Sequence, residues 1–150
     1  MRPLRYPRYH LLWCLGLILL GLSACSSSDK ANDQSAAQTY YFLESLRLVE
    51  GAGLQLQSKN LTESSLMQAL SDMDEGLKLA YQIDAEFLNQ LDLRLGKNYQ
   101  RYFVKGVETY RIGVEARNQD EQQQGLKLLV QWNAFWGPEQ SRINRNLQSQ

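Results

Sequence analysis

Imidazole and thiol chemistry are nearly missing from this chain: its one histidine is His10 and its two cysteines are Cys14 and Cys25. Residues 26–150 thus carry no imidazole for haem ligation, zinc binding, a Ser-His-Asp relay or a Glu-x-x-His di-iron pair. Cys25 would have no thiol partner once residues 1–24 were removed, so no intramolecular disulfide is expected there. Neither a glycine-rich phosphate loop nor a serine-nucleophile elbow is present. Met67 and Met73 could ligate haem in principle, but methionine ordinarily fills irregular gaps in a core. No cofactor and no metal are expected.

Charge of one sign is also scarce, and what there is lies unevenly. The 16 basic residues less Arg2, Arg5 and Arg8 leave 13 against 16 acids, so the chain beyond residue 24 is near −3. Such a domain has no general attraction for a phosphate backbone, and nucleic acid is not an expected partner. Within it, residues 62–92 hold seven acids and one base, whereas residues 94–117 hold six bases and two acids.

No hydrophobic run is long enough to span a bilayer. Residues 11–22 are almost unbroken apolar chain after Arg2, Arg5 and Arg8, but about a dozen residues reach only ~18 Å as a helix, against a hydrocarbon core of ~30 Å. A short apolar segment behind a positive start has the layout of an export signal. It ends Leu22, Ser23, Ala24, Cys25, which resembles the lipobox of bacterial lipoproteins. Small side chains at Ser23 and Ala24 suit an extended backbone in a peptidase cleft. The resemblance implies cleavage between Ala24 and Cys25, a diacylglyceryl thioether on the Cys25 sulfur and a third acyl chain on its amine. One short acyl chain binds a membrane only marginally, with an association constant of ~10⁴ M⁻¹, so three would hold firmly. Serine at position 26, where aspartate resembles an inner-membrane retention signal, implies the inner leaflet of the outer membrane, facing the periplasm.

The expected organisation is a signal peptide over residues 1–24, a flexible polar tether over 25–34 and a helical domain over 35–150. From about Ser35 apolar residues recur at spacings of four and three, the period of helices with one buried face, and no strand alternation competes. The stripes are Phe42, Leu46, Val49, Gly53 and Leu56, then Leu66, Leu70, Met73, Leu77 and Ala80. A third follows Tyr99, Phe103, Gly106, Tyr110 and Gly113, and a fourth Gly125, Leu129, Trp132 and Trp136. They predict an all-α, antiparallel four-helix bundle with a short additional helix from about residue 85 to 91. Thr62, Asp84 and Asn118 are the expected N-caps, the last with Glu121 at capping-box spacing. Gly137 and Pro138 are expected to kink or break the fourth helix, with Ile143 and Leu147 on a resumed turn. Gly106 and Gly113 predict close approach by a neighbour, with Trp132 and Trp136 as the expected occupants.

Three groups of residues stand out as surfaces. Asp72, Asp74 and Glu75 cluster on the second helix, where acid–base catalysis would need a buried carboxyl and a solvated face would not. Lys97, Arg101 and Lys105 stand four apart, where like charges repel. Either the acidic helix next in sequence compensates them or an acidic partner or headgroup does. Trp132, Phe135 and Trp136 fall within five residues, too closely for one helical face to bury all three equally. Lys97, Arg101, Lys105, Trp132, Phe135 and Trp136 are thus the candidate partner or ligand surface. The expected role is a non-enzymatic, lipid-anchored envelope accessory: a scaffold, assembly factor or pilotin-like chaperone for another envelope protein. The alternative is a periplasmic carrier holding an apolar or aromatic molecule near Tyr99, Tyr102, Phe103, Tyr110 and Trp132.

Overall fold

The computed structural model describes the backbone from residue 26 to 149 and side chains from residue 33. The expected signal peptide, residues 1–24, and Cys25 lie outside the described residues. The described residues are all-α: α1 (Ser26–Leu56), α2 (Glu63–Ala80), α3 (Ala85–Leu91), α4 (Leu95–Asn98), a π-helical segment (Tyr99–Val104), α5 (Lys105–Glu115) and α6 (Gln119–Gln148). Residues 35–150 form one compact unit. Helix α1 begins inside the stretch whose composition reads as a tether. With neither proline nor glycine between residues 26 and 50 to stop it, each further residue adds a hydrogen bond to a helix already nucleated by its packed part.

Glycine sets how closely the helices meet. A Cβ on Gly125 would stand 2.4 Å from the Tyr110 backbone nitrogen, one on Gly113 2.5 Å from that of Gln122, and one on Gly106 3.0 Å from the Leu129 side chain. These pairings run in opposite directions along the two helices, so α5 and α6 form a tight antiparallel hairpin. The occupants over Gly106 and Gly113 are therefore Leu128, Leu129 and the first turn of α6, not the tryptophans. Gly76 does the same for α2 against α1, where a Cβ would lie 2.9 Å from Val49 and 3.2 Å from the Ser45 carbonyl.

The hairpin turn is built from caps. Arg117 takes a left-handed φ of 52°, and the amides of Asn118 and Arg117 donate to the carbonyls of Gly113 and Val114 at 2.8 and 3.1 Å, a Schellman ending with arginine where glycine is usual. The Asn118 side chain then accepts from the amides of Asp120 and Glu121. Its own amide is already committed to Gly113, so the reciprocal half of the expected box does not form. Thr62 caps α2 with Ser65 as its reciprocal partner. Asp84 makes no side-chain cap: Gln38, buried on α1, accepts from the Asp84 amide at 2.7 Å and donates to the Gln82 carbonyl at 3.1 Å.

Pro138 lies inside α6 and the helix continues through it, so of the expected kink or break the break does not occur. Ala134, whose carbonyl loses its partner to the proline, is exposed, so water can satisfy it. Beyond the proline, tertiary contacts hold the helix: Ile143 is fully buried, Asn146 donates to the Leu91 carbonyl at 2.8 Å, and Arg142 pairs with Asp92 and Glu139.

The core is aromatic at its centre. Tyr99 stacks on Phe103 with centroids 4.8 Å apart, Trp132 stacks on Trp136 at 5.5 Å, and Phe42 meets Tyr99 and Trp136 at 5.5 and 5.7 Å. Tyr99 Oη donates to Ser45 Oγ at 2.6 Å, which donates to the Phe42 carbonyl at 2.8 Å, and burial pushes the phenol pKa well up despite the bond to Ser45. The indole Nε1 of Trp132 finds no acceptor among the described residues.

Candidate functional site

The sequence-predicted surface divides in two. Trp132 and Trp136 are 2% and 5% exposed and belong to the core, so neither offers a docking surface. Phe135 is half-buried at its edge, 5.8 Å from Trp132, with the Arg94 guanidinium over its outer face at 5.7 Å. Lys97, Arg101 and Lys105, by contrast, come together along one open groove of about 670 Å³. Ala85 and Asn89 of α3, with Leu93, Gly96 and Gln100, also line it. Leu93 is 87% exposed. Gly96 keeps the walls close: a Cβ there would meet Asn89 Oδ1 at 2.7 Å.

The cations are unequally compensated. Lys105 Nζ lies 3.0 Å from Glu108 Oε2 on its own helix, and the Arg101 guanidinium stands over the Tyr102 ring at 5.4 Å. Among the described residues, neither Lys97 nor Arg101 has an ion-pair partner. The acidic helix compensates a different base: Asp74 of α2 sits 2.9 Å from Arg111 Nε. The reason is register. Tyr81, just past the end of α2, donates to Glu108, so the antiparallel pairing runs out of α2 before it reaches Arg101 and Lys97. What lies there instead is α3, which presents Ala85 and Asn89.

Tyr81 and Glu108 illustrate how local partners move titration. Burial and the neighbouring carboxylate raise the Tyr81 phenol to about 12, while the hydrogen bond from Tyr81 and the Lys105 ammonium hold Glu108 below the ordinary value. The clustered acids of α2 do not form a catalytic pair. Asp74 pairs with Arg111, Glu75 with Lys78 at 3.0 Å, and Gln68 donates to Asp72 at 2.8 Å.

A second polar cluster ties α6 to the turn after α3. Arg94 lies 2.5 Å from Glu139 and 3.6 Å from Asp92, and Arg142 reaches both acids. Burial works to raise Asp92, but hydrogen bonds from Arg142 and the Arg94 amide prevail and its carboxyl sits below the usual value. Glu139 is lowered by the hydrogen bonds from Arg142 and Arg94. This cluster is internally neutral and structural.

The π-helical segment escaped the sequence reading, because a search for period 3.6 cannot register a wider turn. Its signal was the adjacent burial of Phe103 and Val104 followed by Gly106 and Val107, two neighbours at a time where a stripe gives one. No helix of the described residues is long and apolar enough to cross a membrane. No protein-family model, curated protein or solved structure matches the chain.

Proposed function

We propose that the chain is a lipid-anchored, non-enzymatic accessory of the bacterial envelope, a scaffold, assembly factor or pilotin-like chaperone that binds another envelope protein. In this reading α1, α2, the helix running from α4 through α5, and α6 make an antiparallel four-helix bundle, with α3 as the short extra helix. Cys25, lipidated after cleavage at Ala24, holds it to the inner leaflet of the outer membrane. The observation that carries the binding role is the groove beside Lys97 and Arg101: it is open, and two of its three cations lack an internal partner. Charges left unpaired on a preorganised surface supply orientation and encounter rate for a complementary partner. A carrier of apolar molecules would need space among Tyr99, Phe103 and Trp132, where the rings already touch one another.

The test is affinity purification of the native lipidated protein from detergent-solubilised envelopes, with mass spectrometry of its N-terminus. A triacylated Cys25 and a reproducible protein partner are expected. An intact Met1, or no partner, refutes the proposal.

A further inference from the structure

Resting on that reading, we infer that the groove between α3 and the helix from Leu95 to Glu115 receives an acidic amphipathic helix of the partner protein, with carboxylates on one face at positions i, i+4 and i+7. The argument begins with the alignment of the cations. In an α-helix, residues four apart drift round the axis by about 40° per step, so Lys97 and Lys105 would diverge by roughly 80°. Between them, however, the chain is π-helical from Tyr99 to Val104, and its wider turn, closed by i→i+5 hydrogen bonds, carries each successive fourth residue nearer to the one before. Lys97, Arg101 and Lys105 consequently share the wall of one groove. Single π-helical turns set within α-helices occur frequently at functional sites, and this one sits where like charges are brought into line rather than dispersed.

The row fits one kind of ligand. Eight residues of α-helix would span ~12 Å, and the wider π-helical turn makes the row somewhat shorter, so it matches carboxylates at positions i, i+4 and i+7 of a facing helix, which lie within about 60° of one another. Leu93, 87% exposed and lining the groove, gives an apolar contact for the same helix, and the amides of Asn89 and Gln100 can bond to its polar side chains. A flat bilayer of anionic headgroups is the rival source of negative charge. Charge complementarity to a protein partner is the source taken here, and capture by anionic vesicles is the outcome that would reveal the rival.

The test uses the full-length protein and a fluorescein-labelled, alanine-based helical peptide bearing three glutamates at positions i, i+4 and i+7 and one leucine, followed by anisotropy. Binding is expected to weaken with added salt and to fall roughly tenfold or more with K97Q/R101Q/K105Q, while K59Q/K127Q/R145Q binds as the parent does. The reversed variant K97E/R101E/K105E is expected to bind the corresponding lysine peptide, which shows that its fold survives. Equal binding of a glutamine peptide, equal weakening by both glutamine variants, or cation-dependent capture by phosphatidylglycerol vesicles without peptide binding would overturn the inference. Partner recovery from envelopes that is undiminished by K97Q/R101Q/K105Q sinks the groove alone and leaves the accessory role standing.

Discussion

Replacing Gly125 by alanine is the sharpest probe of how this protein is held together. The added methyl would sit 2.4, 2.6 and 2.7 Å from the nitrogen, Cα and Cβ of Tyr110, all closer than the ~3.5–4.0 Å optimum for non-bonded atoms. Two of these are backbone atoms, so no rotamer change relieves the clash and α5 must move off α6 by about 1 Å. A gap of that size forfeits roughly a quarter to a half of each dispersion contact across it, including those at Gly106 and Gly113. Overpacking of this kind costs about 3 kcal/mol, and alanine returns about 1 kcal/mol of helix propensity. The net is about 2 kcal/mol of destabilisation, or a melting midpoint lower by about 8 °C for a domain of this size. Thermal unfolding followed by far-ultraviolet circular dichroism reads it directly. Gly51→Ala is the control, since nothing lies within 4 Å of its added Cβ, and it is expected to stabilise by up to about 1 kcal/mol. Gly106→Ala should fall between them, because the contact is the movable end of Leu129. If Gly125→Ala proved as stable as Gly51→Ala, the close hairpin would be wrong.

Other expectations follow from single contacts. Arg117→Gly relieves a left-handed arginine and is expected to stabilise by about 0.5–1 kcal/mol in urea titration; a loss would show that the Schellman turn is not the strained point. Ser45→Ala leaves the Tyr99 hydroxyl buried without an acceptor, costing about 1–3 kcal/mol, whereas Tyr99→Phe costs about 1 kcal/mol because Ser45 keeps the Phe42 carbonyl. The double variant should cost less than the two added together, and strict additivity would deny the bond. Because Asp92 and Glu139 have folded-state values below 3.8 and 4.5, their stabilisation is complete above those values and drains as pH falls beneath them. Arg142→Gln should flatten the decline in melting midpoint between pH 5 and 2; an unchanged decline would place the acid sensitivity elsewhere. Cys25→Ala is expected to leave an uncleaved precursor in envelope fractions, and normal processing would refute the lipid anchor.

Helical class, the starts of α2, α3 and α6 and much of the inner faces were legible in the sequence because each rests on neighbours within a turn or two. Phe42, Leu46 and Val49 or Met73, Leu77 and Ala80 can be read as one face from spacing alone, and a threonine or asparagine before an apolar-periodic run caps the amides that follow it. The aligned charges of Lys97, Arg101 and Lys105 were equally visible as a puzzle of like signs at helical spacing. What answered the puzzle was tertiary. Register decides which acid reaches which base, and α2 ends opposite Glu108, so its carboxylates compensate Arg111 and stop short of Arg101. Burial of Trp132 and Trp136, the passage of α6 through Pro138, and the cap that Gln38 lends to Asp84 likewise depend on partners about 30 or more residues away or on solvent at one carbonyl. Local periodicity fixes what a helix can bury; only the packed arrangement settles which groups remain unpaired, and here Lys97 and Arg101 beside the groove are among them.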